Sequence, residues 1–428
     1  MNDPLKTSGS WGPLRKLSFR LVATYAGLFV FYTLLRFQTI PVLTQLHRFI
    51  WPAWRSLVVF FNDHLLHVRE TLVDPNSSTD TSLAWASQWT MVIISIIICT
   101  AWTAIDRRRS NYEVEEYWLR TISRYFVAYF CFYYGIIKLF AIQMPFPSLS
   151  QLSTPLGDLS ATRLAWMFLG ASTSYQVFSG IIETAAGIFL VFRRTTTLGA
   201  VLAIAVFGNV VAINFSYDVP VKLMSTHILL FGIYLLLFDY QRIVDFFLLN
   251  KTAPANTLYA VDFNSKWSRY AKIVAKLAFL YVSVVGSILI CVRVYRSAHL
   301  VINTGPIRQG IYDVEYFSLD NDSLRWKDMV LYGVTGSVKT EDTIFVQRYS
   351  RGYFSFEVDS ISQQFKIKRN YDDKDYITTL NYKIPETGVV ELRGLLRKDS
   401  LVVILKKSAK KFRLSESNEF HWLQEAPQ

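Results

Sequence analysis

The stretch Leu83–Ile105, LAWASQWTMVIISIIICTAWTAI, holds no Asp, Glu, Lys or Arg and is long enough to cross a bilayer as one helix. Further apolar runs lie on both sides of it: Leu21–Leu35, Tyr125–Ile142, Trp166–Phe192, Leu198–Phe215, Leu223–Phe238 and Lys272–Val292. The run Leu223–Phe238 is short and is expected to extend back over Val221 and Lys222. Together they predict an α-helical transmembrane bundle of about seven spans. Between the first two runs, Pro41–Leu66 mixes charges with Trp51, Pro52 and Trp54, the pattern of an amphipathic segment lying in a membrane interface.

Composition agrees with that pattern. Hydrophobic residues make up 51% of the 428 and charged residues only 18%, below the usual share in soluble proteins. The net charge of +12 does not indicate nucleic acid, because the excess sits in short stretches beside apolar runs, where it sets orientation and meets anionic lipid. The basic loops are Arg107-Arg108-Arg109 with Arg120 and Arg124, then Arg193-Arg194, then Arg242, Lys251, Lys266 and Arg269; the third and fifth loops carry only Arg163 and Lys222, and the first exterior loop, with Arg48, Arg55 and Arg69, departs from the pattern because its length weakens the rule. That alternation places the N-terminus in the cytoplasm, and an odd number of spans puts everything after Val292 outside. Lys6, Arg15, Lys16 and Arg20 precede the first run as in a signal peptide. Arg36-Phe37, not a small-residue cleavage site, follow it, so an uncleaved anchor is expected. Cys99, Cys131 and Cys291 each lie inside an apolar run without a CxxC neighbour, which indicates neither a metal site nor a redox pair.

From about Ile307 the pattern changes. Strand signals recur at Val330–Val338, Thr343–Tyr349, Tyr353–Val358, Gln364–Lys368, Tyr376–Tyr382, Val389–Leu395 and Leu401–Lys406, and Asn418–Leu423 could close the set. Alternation through Tyr376, Thr378, Leu380 and Tyr382 predicts an antiparallel all-β domain, a small barrel or sandwich. The expected organisation is anchor spans with the amphipathic segment in residues 1–123, a four-helix core in 124–250, a linker and last span in 251–300, and an extracytoplasmic β-rich domain in 301–428.

Ionisable groups inside apolar runs are the best functional pointers, since a charge at the bilayer centre costs about 2.5–3.5 kcal/mol on insertion scales. Arg124, Ala128, Cys131, Gly135 and Lys138 share one helical face; Thr173, Gln176, Gly180, Glu183 and Gly187 share another. With Tyr134, Asn209, Asn214, Lys222 and His227 they outline an intramembrane polar pocket in which Glu183 is the deepest acid and Lys138, Lys222 and His227 are its prospective partners. Each group has a structural reading as well: the lysines can snorkel, Glu183 and His227 can be satisfied bundle residues, and the asparagines can be interhelical glue. No hydrolase elbow, phosphate loop, HExxH or dinucleotide fingerprint occurs in a believable context.

The run Arg124-Tyr125…Tyr134-Gly135-Ile136-Ile137-Lys138, the Gly180…Glu183…Gly187 stripe and the His227 helix resemble the DoxX-like family of bacterial membrane proteins. Tyr217-Asp218-Val219-Pro220-Val221-Lys222 and the terminal Phe420-His421-Trp422-Leu423 are similar to longer members with a β-rich C-terminal domain. The resemblance implies a four-helix membrane core. Some members are similar to a subunit of thiosulfate:quinone oxidoreductase, so it also implies a quinone or other lipophilic molecule in the polar bundle and, if there is catalysis, a membrane oxidoreductase role. Two alternatives stand beside it: an envelope scaffold whose outer β domain binds a membrane or periplasmic protein, and a transporter of a small substrate, for which matched broken helices are not evident.

Overall fold

The computed structural model describes residues 10–37, 41–74, 79–253, 259, 261, 264–300, 305–319 and 324–416. The expected closing strand and the Phe420-His421-Trp422-Leu423 motif lie outside them. The chain forms two compact units, Met1–Gln143 with Val177–Cys291, and Met144–Gln176 with Val292–Gln428.

The helices are α1 (Pro13–Phe37), α2 (Pro41–Phe61), α3 (Ser82–Ile105), α4 (Glu113–Leu139), α5 (Leu149–Leu152), α6 (Ala161–Gly170), α7 (Thr173–Val191), α8 (Thr196–Ser216), α9 (Lys222–Leu237), α10 (Tyr240–Phe247), α11 (Lys266–Leu280), α12 (Gly286–Leu300) and the short α13 (Arg413–Glu416). The count of about seven spans is corrected. Among the described residues five helices are long and apolar enough to cross a membrane: α1, α3, α7, α8, and the rod of α11 and α12 joined by a π-helical turn. The number is six if α9 and α10, bent by 74°, make one span. The expected span Tyr125–Ile142 begins inside α4 and outruns its end at Leu139; the first turn of α4 holds Glu113, Glu115 and Glu116 and its body holds Arg120, Arg124 and Lys138. It is amphipathic rather than uniformly apolar, with these charged groups set among its apolar ones. The run Trp166–Phe192 divides into α6 and α7 at Ala171-Ser172, where the Ser172 hydroxyl accepts the Tyr175 amide at 3.3 Å.

The helical unit is built on rings and small residues. Its core gathers Phe19, Phe29, Phe126, Phe130, Phe207, Phe231 and Ile228 with alanines from α1, α4, α7 and α8. Arg20 on α1 is buried, yet donates to Tyr112 Oη, to Thr103 Oγ1 at 2.9 Å and to the Asp106 carbonyl at 2.7 Å. That satisfied guanidinium ties α1 to the turn between α3 and α4. The Asp80 carboxylate accepts the backbone amides of Lys222 and Leu223 at 2.7 and 2.9 Å, capping α9 from a distant loop.

The second unit is all-antiparallel: β1 (Gly310–Ser318), β2 (Asp328–Tyr332), β3 (Thr335–Val338), β4 (Val346–Arg348), β5 (Arg351–Asp359), β6 (Gln364–Lys368), β7 (Thr378–Lys383), β8 (Val389–Leu396) and β9 (Asp399–Lys407). Their order is β3-β2-β1-β9-β8-β7-β6-β5, and β3 pairs again with β5, so eight strands close into a barrel, with β4 as a short flap on β5. Closure removes the exposed sheet edges an open meander would present. The period-two pattern holds in the structure. In β7, Thr378, Leu380 and Tyr382 face inward, meeting Phe365, Ile367, Phe356 and Val403 in the barrel core.

Two details differ from the sequence expectation. Val330–Val338 is a hairpin, because Gly333 takes φ 61°, a left-handed conformation cheap only for glycine, and turns β2 into β3. At the seam, a Cβ on Gly336 would lie 2.5 Å from the Phe354 ring, so a larger residue would displace that ring where β3 closes on β5. The strand β1, with few inward positions after Tyr312, was not legible at all; a bulge between Val314 and Tyr316 interrupts its alternation. The segment between α4 and α7 belongs to this unit. Ser150 Oγ meets Ser337 Oγ at 2.8 Å, Arg163 Nε donates to Tyr349 Oη at 3.0 Å, and Lys339 lies 3.8 Å from Asp158. Beneath Ser337, the fully buried Arg351 forks onto Asp328, with Nη1–Oδ2 3.1 Å and Nη2–Oδ1 2.5 Å.

Candidate functional site

The nine residues expected to share one polar pocket fall into separate groups. Lys138 on α4 and Glu183 on α7 form a buried ion pair through Nζ and Oε1. Their helices touch at glycines: a Cβ on Gly180 would lie 2.7 Å from the Gly135 carbonyl and 2.9 Å from the Leu139 amide, and one on Gly135 2.5 Å from Thr184 Oγ1. The small-residue stripes therefore bring the backbones together, and the pair is enclosed by that approach. Glu183 Oε2 is buried with no hydrogen-bond partner.

His227 takes no part in that pair. Its Nδ1 lies 2.7 Å from the Leu223 carbonyl, which requires a proton there, so Nε2 is the acceptor for Tyr25 Oη at 2.6 Å. Gln88 Nε2 in turn donates to Tyr25 Oη. The result is a directed chain from Gln88 through Tyr25 to a neutral imidazole, with the Phe29 ring stacked on His227 at 3.8 Å. This network stands at one end of a groove of about 500 Å³ between α1, α3 and α9. Apart from Tyr25, Ser95, His227 and Tyr234 the groove wall is aliphatic or Phe, from Leu21, Val22, Ala26, Val92, Ile96, Leu230, Phe231, Ile233 and Leu237. From His227 to Leu237 it follows α9 for about 15 Å. The Tyr234 hydroxyl on its wall is buried without a hydrogen-bond partner. Such a slot suits a long apolar body with a hydrogen-bonding head.

The other expected residues lie elsewhere. Lys222 Nζ pairs with Asp218 at 2.6 Å and lies 3.9 Å from Asp80, at the capped start of α9. Asn214 Nδ2 donates to Ser225 Oγ at 2.9 Å, joining α8 to α9. Gln176 belongs to the barrel unit, where its amide donates to the Met144 carbonyl at 2.7 Å and its carbonyl accepts the Met144 amide at 3.3 Å. Asn209 is exposed on α8, and Tyr134 stacks on Phe130 at 6.0 Å. Arg124 lines a basic cavity at the end of the bundle where α4 begins.

Over 127 residues the chain is 32% identical to the uncharacterized protein YwoB of Bacillus subtilis (strain 168), a match spanning 29% of this chain and 79% of that protein. The chain belongs to the YwoB family. No family model matches it, and no solved structure does. For this YwoB-family chain, the residues that sequence reading missed are Tyr25 and Gln88. Each is a large polar side chain in an apolar run, like His227, and that shared oddity was the available signal. What paired them was helix register, which no spacing records: Tyr25 and His227 are 202 positions apart.

Proposed function

We propose that the chain is a DoxX-like integral protein of a bacterial cytoplasmic membrane that holds a lipophilic molecule of the quinone class in the groove between α1, α3 and α9. The polar head meets the Gln88–Tyr25–His227 chain and the tail lies along Ile96, Leu230, Phe231 and Ile233. The single observation that carries this reading is the groove itself: about 500 Å³, apolar along its length, with one imidazole–phenol pair at its end. A redox role within an oxidoreductase system follows from the DoxX resemblance, and Tyr25 and His227 would then exchange protons with the head.

Membrane insertion is supported by surface chemistry. The rod of α11 and α12 exposes Trp267, Ile273, Val274, Leu277, Tyr281 and Leu289, a surface that water does not favour. Orientation has two supports. With α4 taken as a further, amphipathic crossing beside the six apolar ones, the segment 144–176, with Arg163 as its one basic residue, shares a compact unit with the barrel, whereas Arg107-Arg108-Arg109, Arg193-Arg194 and Arg242 lie on the alternate connections. The barrel unit then faces away from the cytoplasm and the N-terminus faces into it.

The test is photo-crosslinking with an azido-ubiquinone in detergent, together with extraction of quinone from the purified protein. Labels are expected on residues 21–26, 92–96 and 227–237, and Leu230→Trp, which fills the groove, should abolish them. No extracted quinone and no groove label would refute the reading. A scaffold role for an envelope partner is the second reading. It is favoured by the Lys138–Glu183 pair, which lies shut between close glycines rather than open to a ligand.

A further inference from the structure

At the bundle end where α4 and α11 begin and α7 and α9 finish lies a second cavity, of about 240 Å³. Arg120 and Arg124 enter it from α4, Arg193 from the turn after α7, and Lys272 and Lys276 from α11. Three elements thus aim cations into one partly enclosed space. The carboxylate on its wall, Asp239, is engaged: Oδ1 accepts from Arg242 at 2.7 Å and Oδ2 from Thr197 at 2.5 Å. Glu116, one turn before Arg120, pairs with Arg15. Among the described residues no carboxylate lies within ion-pair distance of Arg120, Arg124 or Lys276.

One donor on each arginine is also left unused. Nε of Arg120 and Nε of Arg124 are both buried, and neither has a hydrogen-bond partner. Arg120 spends an Nη on the Tyr259 carbonyl at 2.9 Å, and its guanidinium lies 5.0 Å from the Phe238 ring. Lys276 Nζ lies 3.9 Å from the Phe192 ring centre, and the Arg124 guanidinium 5.1 Å from that of Tyr125. Aromatic faces orient these cations but do not neutralise them. Arginines that only set membrane orientation turn their heads to water; two buried, orphaned Nε–H groups do not fit that role. Converging like charges need a counter-charge, and the planar edge of a guanidinium matches two phosphate oxygens.

We infer that this cavity binds a phosphate group through Arg120, Arg124 and Lys276, carried either by an anionic phospholipid headgroup or by a soluble phosphate. The site is independent of the groove.

The full chain, purified in detergent, is titrated with phosphatidylglycerol and read by native mass spectrometry. In parallel, inorganic phosphate is titrated and read by thermal melting. The variants are Arg124→Gln with Lys276→Gln, the single Lys276→Gln in case the double variant does not purify as a monodisperse protein, and Lys366→Gln on β6 as a control for charge loss. Each lost charge-assisted contact should weaken binding about tenfold. Phosphatidylglycerol retained by the wild type and the control but lost by the cavity variants assigns a lipid headgroup. Phosphate protection lost in the same variants, without lipid retention, assigns a soluble phosphate. If wild type and cavity variants behave alike with both probes, the site is refuted.

Discussion

Replacing Glu183 by Gln tests what the buried pair does. Lys138 is 6% exposed and Glu183 1%, so the substitution leaves an ammonium with no counter-charge in the α4–α7 contact. Breaking a buried pair on one side costs about 3–5 kcal/mol. At about 2–4 °C per kcal/mol for a unit of this size, the melting temperature should fall by roughly 10 °C. Replacing both partners with apolar side chains, Lys138→Met with Glu183→Leu, removes the unpaired charge and should restore most of that loss. A thiol-reactive dye reads the transition in detergent, because Cys99, Cys131 and Cys291 are all buried and react only on unfolding. The reasoning fails if Glu183→Gln melts with the wild type, or if the double variant is worse than either single one.

Gly180→Val should separate α4 from α7, since even a Cβ would lie 2.7 Å from the Gly135 carbonyl; a cost of about 1–3 kcal/mol and faster dye labelling of Cys131 are expected. Arg351→Met leaves Asp328 without its bidentate partner, and hydrogen exchange in β2 and β5 should accelerate by roughly 100-fold, the equivalent of about 3 kcal/mol, with exchange elsewhere unchanged. Asp359 on the β5–β6 turn titrates at about 2, held below its ordinary 3.8 first by the Ser362 side chain and then by the Ser362 amide. Its folded-state value is depressed, so its contribution is present above 3.8 and lost as pH falls toward 2, and Ser362→Ala should raise the midpoint seen by carboxyl-selective NMR. Asp80→Ala removes the carboxylate at the start of α9 and should cost about 1 kcal/mol, read as faster exchange at Lys222 and Leu223.

Long apolar runs made α1, α3, α8 and the α11–α12 rod legible, because length and transfer free energy are properties of a segment by itself. Period-two alternation made β6, β7 and β9 legible for the same reason: inward and outward faces are written residue by residue. The chain's linear order also marked Lys138, Glu183 and His227 as misplaced polar groups. Only the tertiary structure chose their partners. The close approach at Gly135 and Gly180 set the register that gives Glu183 to Lys138, and the packing of α1 against α9 gave His227 to Tyr25. It likewise assigned residues 144–176 to the barrel, through contacts at Ser337 and Tyr349 that are distant in sequence. A pattern along one helix fixes which face is polar; which other face it meets depends on rotations and offsets between helices, and those exist only once the backbones are packed.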